Sequence, residues 1–181
     1  MKVGVISDTH LVSGGFGVRK LAAQIMSKSR QGFDCLNEIA EKHFKDKVDL
    51  ILHAGDLVNM EVVDLLEQFA PVDAVSGNMD HSDVTMRLPV KRVIELEGHR
   101  VGLIHGWGSP TGMINRIRNE FDDVCAIVFG HTHKPMNDVL DDTLFFNPGS
   151  AMDRRFAPFR SVGILTVDPD SITGEIIKLG K

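Results

Sequence analysis

Five short apolar runs, rich in β-branched residues, mark the chain: KVGVIS (2–7), VDLILHA (48–54), VDAVS (72–76), RVGLIH (100–105) and AIVFG (126–130). Several are apolar at successive rather than alternate positions, which is how strands covered on both faces read. Helical spacing lies between some of them. FDCLNEIAEKHF (33–44) sets Phe33, Leu36, Ile39, Ala40 and Phe44 on one stripe. MEVVDLLEQF (60–69) does the same with Val62, Leu65, Leu66 and Phe69, and GMINRIRNEF (112–121) is a third amphipathic stretch. Strand–helix–strand alternation predicts a largely parallel α/β sheet. In the last third, DVLDDTLFFNPGS, SVGILTVDP and SITGEIIKL succeed one another through Asp- and Gly-containing turns. These predict antiparallel strands, forming a second sheet packed on the first. No linker, repeat or low-complexity segment interrupts the chain, so one domain spanning 1–181 is expected.

The residues at the exit of each run carry the chemistry. The first run is succeeded by Asp8 and His10, the second by Asp56, the third by Asn78; His105 ends the fourth, and His131 and His133 come after the fifth. Loops at the carboxyl ends of parallel strands build ligand sites in α/β folds, so the five exits are expected to gather these side chains. In extended backbone, side chains two apart point the same way. Asp8 and His10 are therefore expected to reach a common centre, as are His131 and His133. The glycines before Asp56, Asn78 and His131 are expected to turn the backbone sharply there. Asp, Asn and Gly also serve as ordinary turn residues after strands, but turn chemistry does not account for histidines recurring in phase with them. Mixed nitrogen and oxygen donors without thiolate suit Mn²⁺, Fe or Zn²⁺. The donors are too many for one such ion with an open position and suit two ions sharing a carboxylate.

Composition narrows the partners. The 181 residues are 43% hydrophobic and 25% charged, with a net charge of −5, which argues against a surface that coats nucleic acid. Cys35 and Cys125 have no second cysteine at metal or redox spacing and read as buried thiols of a reducing compartment. MKVGVISDTH turns polar too early for a signal peptide, and no apolar run reaches the roughly 18 residues of a membrane helix. A cytoplasmic protein is expected.

The pattern DTH…GD…GN…H…GHTH resembles that of the calcineurin-like metallophosphoesterase superfamily, and within it the small YfcE-like phosphodiesterase group. The resemblance runs from Asp8 to FNPGS at 146–150. It implies a four-layer αββα sandwich of two mixed β-sheets flanked by helices. It also implies two divalent cations, Mn²⁺ first with Fe, Zn or Ni as alternatives. Asp8, His10, Asp56 and His133 would hold one, and Asp56, Asn78, His105 and His131 the other. Such a pair neutralises a phosphate ester, lowers the pKa of a water between the ions and clamps an in-line transition state. The activity implied is hydrolysis of a small phosphate ester, foremost a diester, with Asp56 and Asn78 counted as catalytic. A phosphomonoesterase, a non-catalytic protein-binding scaffold of the Vps29 kind and a nuclease are the rival readings.

Three stretches depart from that group. Met79 stands where many relatives carry a histidine able to protonate the leaving group, and His81 in NMDHSD is the nearest replacement as the acid. Residues 11–32 are longer than usual: Gly14, Gly15 and Gly17 read as a hinge before a short helix with Leu21, Ala22, Ile25 and Met26, an inserted lid or a homo-oligomer interface. Arg154, Arg155 and Arg160 come after the NPGS turn, and Arg154 and Arg155 are candidates for binding the substrate phosphate. His53 reads as a core histidine, His43 and His99 as exposed, and Trp107 as a pocket wall or a packing residue.

Overall fold

The computed structural model describes residues 1–12, 19–153 and 155–180, with the backbone alone for 19–29. The elements run β1 (Lys2–Ile6), α1 (Arg19–His43), β2 (Leu50–His53), α2 (Glu61–Leu66), β3 (Val72–Ala74), α3 (Ser82–Thr85), β4 (Lys91–Leu96), β5 (His99–Ile104) and α4 (Met113–Arg118). They continue through β6 (Ala126–Val128), β7 (Met136–Leu140), β8 (Thr143–Asn147), β9 (Ser161–Asp168) and β10 (Ser171–Lys178).

The strands form two five-stranded mixed sheets, ordered β10-β9-β1-β2-β3 and β4-β5-β6-β8-β7. β1, β2 and β3 run parallel, as do β5, β6 and β8, while β9, β10, β4 and β7 pair antiparallel. The period of two along each strand sorts the side chains into layers. Val3, Val5, Leu52, Val101, Leu103, Val128 and Phe146 fill the space between the sheets. Ile6, Ile51, Leu36, Ile39, Phe44, Val62 and Leu66 pack α1 and α2 on one outer face. Ile104, Ile127, Phe129, Met113 and Ile117 pack α4 on the other. Two sheets with helices outside them are the expected αββα sandwich. Each such side chain, fully buried, contributes about 1.5–3 kcal/mol.

The strands of the last third do not make the second sheet by themselves. β7 and β8 complete the sheet of β4, β5 and β6, whereas β9 and β10 extend the sheet of β1 to β3. The five apolar runs that predict one sheet are therefore divided, three and two, between both. Alternation identifies a strand but not its partner, and both sheets present the same kind of apolar inner face. β4 has no counterpart in the expectation: KRVIEL is a mostly exposed edge strand whose charges hide its alternation.

α1 is one continuous helix through Gly32, where the sequence pattern predicts a break before a separate 33–44 helix. A Cβ on Gly32 would lie 2.6 Å from Leu11 Cδ2, so the glycine makes room for Leu11 of the β1 exit loop. The Gly14, Gly15 and Gly17 hinge lies outside the described residues. Cys35 and Cys125 are half-buried rather than buried. No helix among the described residues is long and apolar enough to cross a membrane.

Candidate metal centre

The carboxyl ends of β1, β2, β3, β5 and β6 meet where the two sheets abut, and their loops are tied to one another. The Asp8 and His10 amides donate to the Gly55 and Asp56 carbonyls, at 3.1 and 3.0 Å. Within the second sheet, the Gly130 amide donates to the His105 carbonyl at 3.1 Å. The Met79 amide donates to Asp56 Oδ1 at 2.8 Å, and the His131 amide to Asp8 Oδ2 at 3.1 Å.

The side chains do not converge through extended backbone. Asp8, His10, Asp56, His131 and His133 all adopt left-handed conformations, with φ of 52°, 48°, 56°, 66° and 56°. Each costs of order 1–3 kcal/mol and persists only where the surroundings over-determine it; the cross-loop hydrogen bonds supply that constraint here. The glycines also act differently from the expectation. Gly55 does turn, at φ 87°. Gly77 and Gly130 instead permit close approach: a Cβ on Gly77 would fall 2.2 Å from Asp56 Oδ1, and one on Gly130 2.0 Å from Ser7 Oγ.

Two donor clusters result. Asp8, His10 and His133 form one, and Asp8, Asp56 and His105 the other, the donor atoms of each lying within 4.8 Å of one another. In the first, His133 Nε2 is 3.2 Å from Asp8 Oδ1 and 3.2 Å from His10 Nε2. In the second, His105 Nε2 is 3.3 Å from Asp56 Oδ2 and 3.2 Å from Asn78 Oδ1. Asn78 Oδ1 also lies 2.8 Å from His131 Nδ1. Asp56 Oδ2 stands between the clusters, 3.7 Å from His10 Nε2. The two imidazoles do not share a centre: His133 belongs to the first cluster, whereas His131 lies in neither and meets Asn78 beside the second.

Far-side partners aim the imidazoles. A carbonyl only accepts, so His105 Nδ1 donates to Ala54 at 2.7 Å and His131 Nε2 donates to Gly108 at 2.9 Å. His133 Nδ1 donates to Asp153 Oδ2 at 2.6 Å. The remaining nitrogen of each ring faces the clusters, as metal-binding histidines require.

The electrostatics call for positive charge. Asp8 is 0% exposed and Asp56 2%, and Asp8 Oδ1 is buried without a hydrogen-bond donor. Among the described residues, only histidines form ion pairs with these carboxylates. Two buried carboxylates without Lys or Arg are costly unless a cation stands beside them. The Asp8 carboxylate 3.2 Å away raises His133 to about 9 against burial, with Asp153 reinforcing it. Burial alone would lower His105, but the hydrogen bond to Asp56 and the charge of Asp8 raise it. Burial likewise opposes ionisation of Asp56, but the hydrogen bond and charge of His105, the Met79 amide and the charge of His10 together outweigh it and lower its pKa. In the metal-free protein, protons on these rings stand where cations fit.

The other candidates lie apart. His81 is exposed and caps α3 without a side-chain hydrogen bond. Among the described residues, Thr9, His10, Leu11, Met79 and Phe156 line the cavity of about 510 Å³ above the clusters; His81 and Arg155 do not. Arg155 is exposed, and Arg154 lies outside the described residues. Arg160 contacts Cys35 Sγ and the Gly180 carbonyl. His53 is a core histidine, held near 3 by burial, with Thr9 Oγ1 at 3.2 Å. His43 and His99 are half-buried rather than exposed, and Trp107 lines a separate recess of about 300 Å³.

Asp153 is a site residue that the sequence pattern does not single out. Burial would raise its pKa, but His133 and the backbone amides of Arg155, Phe156 and Ala157 hold it near 2. Ser150 Oγ orders the approach, donating to the Asp8 carbonyl at 2.8 Å and accepting from the Asp153 amide at 2.9 Å. The available signal is an Asp two to four residues before several free amides in AMDRRFAPF, a turn-capping position; its pairing with His133 is a tertiary fact. Asp153→Ala is expected to weaken metal binding about 10–100-fold. Asp153→Asn, still able to accept from Nδ1, should lose less. Competition against a chromophoric chelator measures both, and unchanged affinity in Asp153→Ala would refute the role.

The profile of the calcineurin-like phosphoesterase superfamily domain matches residues 1–170. A probable metallophosphoesterase of Methanothermobacter thermautotrophicus is 36% identical over 182 residues, covering 99% of this chain and 94% of that protein. A phosphodiesterase of Methanocaldococcus jannaschii is 24% identical over 161 residues, 82% of this chain and 83% of that protein. The crystal structure of Chaetomium thermophilum Vps29 superposes with a TM-score of 0.74 at 20% identity, covering 99% of this chain and 89% of that one.

Proposed function

The chain belongs to the calcineurin-like phosphoesterase superfamily, and from that premise we propose that it is a phosphodiesterase using two divalent cations, Mn²⁺ foremost, on a small phosphate ester. The observation that carries this reading is the paired donor clusters beneath one cavity, with a buried Asp8 oxygen between them that faces imidazole nitrogens and accepts no hydrogen bond. Asp8, His10, Asp56 and His133 would hold one cation, and Asp56, Asn78, His105 and His131 the other. When bound, the pair would neutralise the ester's charge and lower the pKa of a water.

The chain's own residues do the rest. Ala54, Gly108 and Asp153 hold three imidazoles in the required tautomer. The Met79 amide fixes one oxygen of Asp56 and leaves the other facing both clusters. Leu11, Met79, Met152 and Phe156 give the cavity an apolar wall. The Met79 thioether offers the leaving group no proton, which favours alcohols that depart as stable anions.

The likeness to Vps29 supports a second reading, a scaffold that binds protein. Three imidazoles oriented from behind are superfluous in such a scaffold. The test is to strip the protein with chelator, restore Mn²⁺, Fe²⁺, Zn²⁺ or Ni²⁺ singly, and assay bis-p-nitrophenyl phosphate against p-nitrophenyl phosphate. Metal-dependent hydrolysis of the diester with the monoester spared is expected. Monoester turnover alone would make it a phosphomonoesterase, and no turnover with any metal would leave the scaffold.

A further inference from the structure

The cavity over the metal centre has two unlike halves. Its floor carries the polar ends of His10, Asp56, Asn78, His131 and His133, whereas Leu11, Met79, Met152 and Phe156 make an apolar rim. Two rim side chains stand largely in water, Met79 at 56% exposed and Phe156 at 73%. Phe156 is nevertheless anchored: its amide donates to both oxygens of Asp153, at 3.2 and 3.1 Å, and Asp153 in turn holds His133. The Phe156 backbone is thus tied to the floor. Among the described residues lining the cavity there is no Lys or Arg, so none of these residues recognises a polyanionic arm. The Thr9 hydroxyl is occupied with His53, which leaves few groups for a sugar. About 510 Å³ is the size of a small-ligand pocket, where apolar walls supply binding and a few polar groups orientation.

Building on the phosphodiesterase reading, we propose that the substrate is a phosphodiester bearing an apolar arm, aliphatic or aryl, which lies against Met79, Met152 and Phe156 while its phosphate faces the floor. Hydrolysis transfers a water oxygen to phosphorus and breaks one P–O ester bond. The alkoxide or phenolate leaves, the water proton passes to it or to solvent, and a phosphate monoester remains.

The experiment uses p-nitrophenyl alkyl phosphates with arms from methyl to hexyl and the Mn²⁺-loaded protein. The leaving group stays constant, so chain length reports the rim. kcat/KM is expected to rise by up to about fourfold per added methylene until the cavity is filled. Phe156→Ser and Met79→Ser, both at exposed positions, should flatten that slope. Independently, dibutyl phosphate added to protein carrying ¹³C-methyl methionine should shift the Met79 and Met152 methyl resonances and leave exposed Met86 unmoved. A series flat in chain length while the methyl ester is turned over overturns the apolar arm and leaves the phosphodiesterase reading intact. Failure of every ester overturns both, and methyl shifts confined to methionines outside the cavity overturn the apolar arm by themselves.

Discussion

Asp56→Asn is expected to lower metal-dependent kcat on the order of 10³-fold or more, with bound metal falling from two equivalents towards one or none. The substitution keeps the shape of the side chain. Its carbonyl would still accept from the Met79 amide, so the β2 exit loop would retain its tie to the β3 exit. What changes is the oxygen between the clusters, 3.3 Å from His105 Nε2 and 3.7 Å from His10 Nε2. An NH₂ group there can donate to both rings in the metal-free protein and opposes two cations. Metal analysis by mass spectrometry and steady-state kinetics in the same preparation test this, with circular dichroism as the check on folding. Full turnover with two metals still bound would remove Asp56 from the centre of the mechanism.

The parts of this site legible in the sequence are those where identity and position suffice. Asp8, His10, Asp56, Asn78, His105, His131 and His133 all succeed or end apolar runs that do become strands, and those strand ends do meet. The means of meeting is not legible there. An i, i+2 spacing reads as extended backbone, yet these residues take left-handed φ, because hydrogen bonds between loops far apart in sequence force the turn. Asp153 is hidden for the same reason: its partner His133 lies 20 residues away and across a loop. The neighbouring arginines are more conspicuous by charge, but Arg155 is exposed and contributes its amide to Asp153. The division of strands between two sheets depends on which inner faces pack, a choice among chemically similar surfaces. The continuity of α1 through Gly32 is hidden too, because a glycine inside a helix costs up to about 1 kcal/mol, and the reason no side chain stands there is the tertiary approach of Leu11.

Removing metal should lower stability as well as activity. With each ion present at about a hundred times its dissociation constant, binding contributes about 2.7 kcal/mol per site. A chain of this size shifts by roughly 2–4 °C per kcal/mol, so chelation is expected to lower Tm by about 10–20 °C. The size of the shift depends on pH, with a definite sign. In the metal-free protein the His133 imidazole is raised to about 9 from the ordinary 6.5. Its protonation therefore stabilises the fold fully below about pH 6.5, and that contribution is lost as pH rises through about 9. Cations compete with the same proton, so their binding strengthens over that interval while the metal-free state weakens. The gap in Tm between loaded and chelated protein should accordingly widen from pH 6 to pH 9, as scanning calorimetry at each pH would measure. A gap that narrows with pH, or one of only a degree or two throughout, would mean that the buried carboxylates are balanced by the imidazolium protons alone and that cations are not what these strand ends are built to hold.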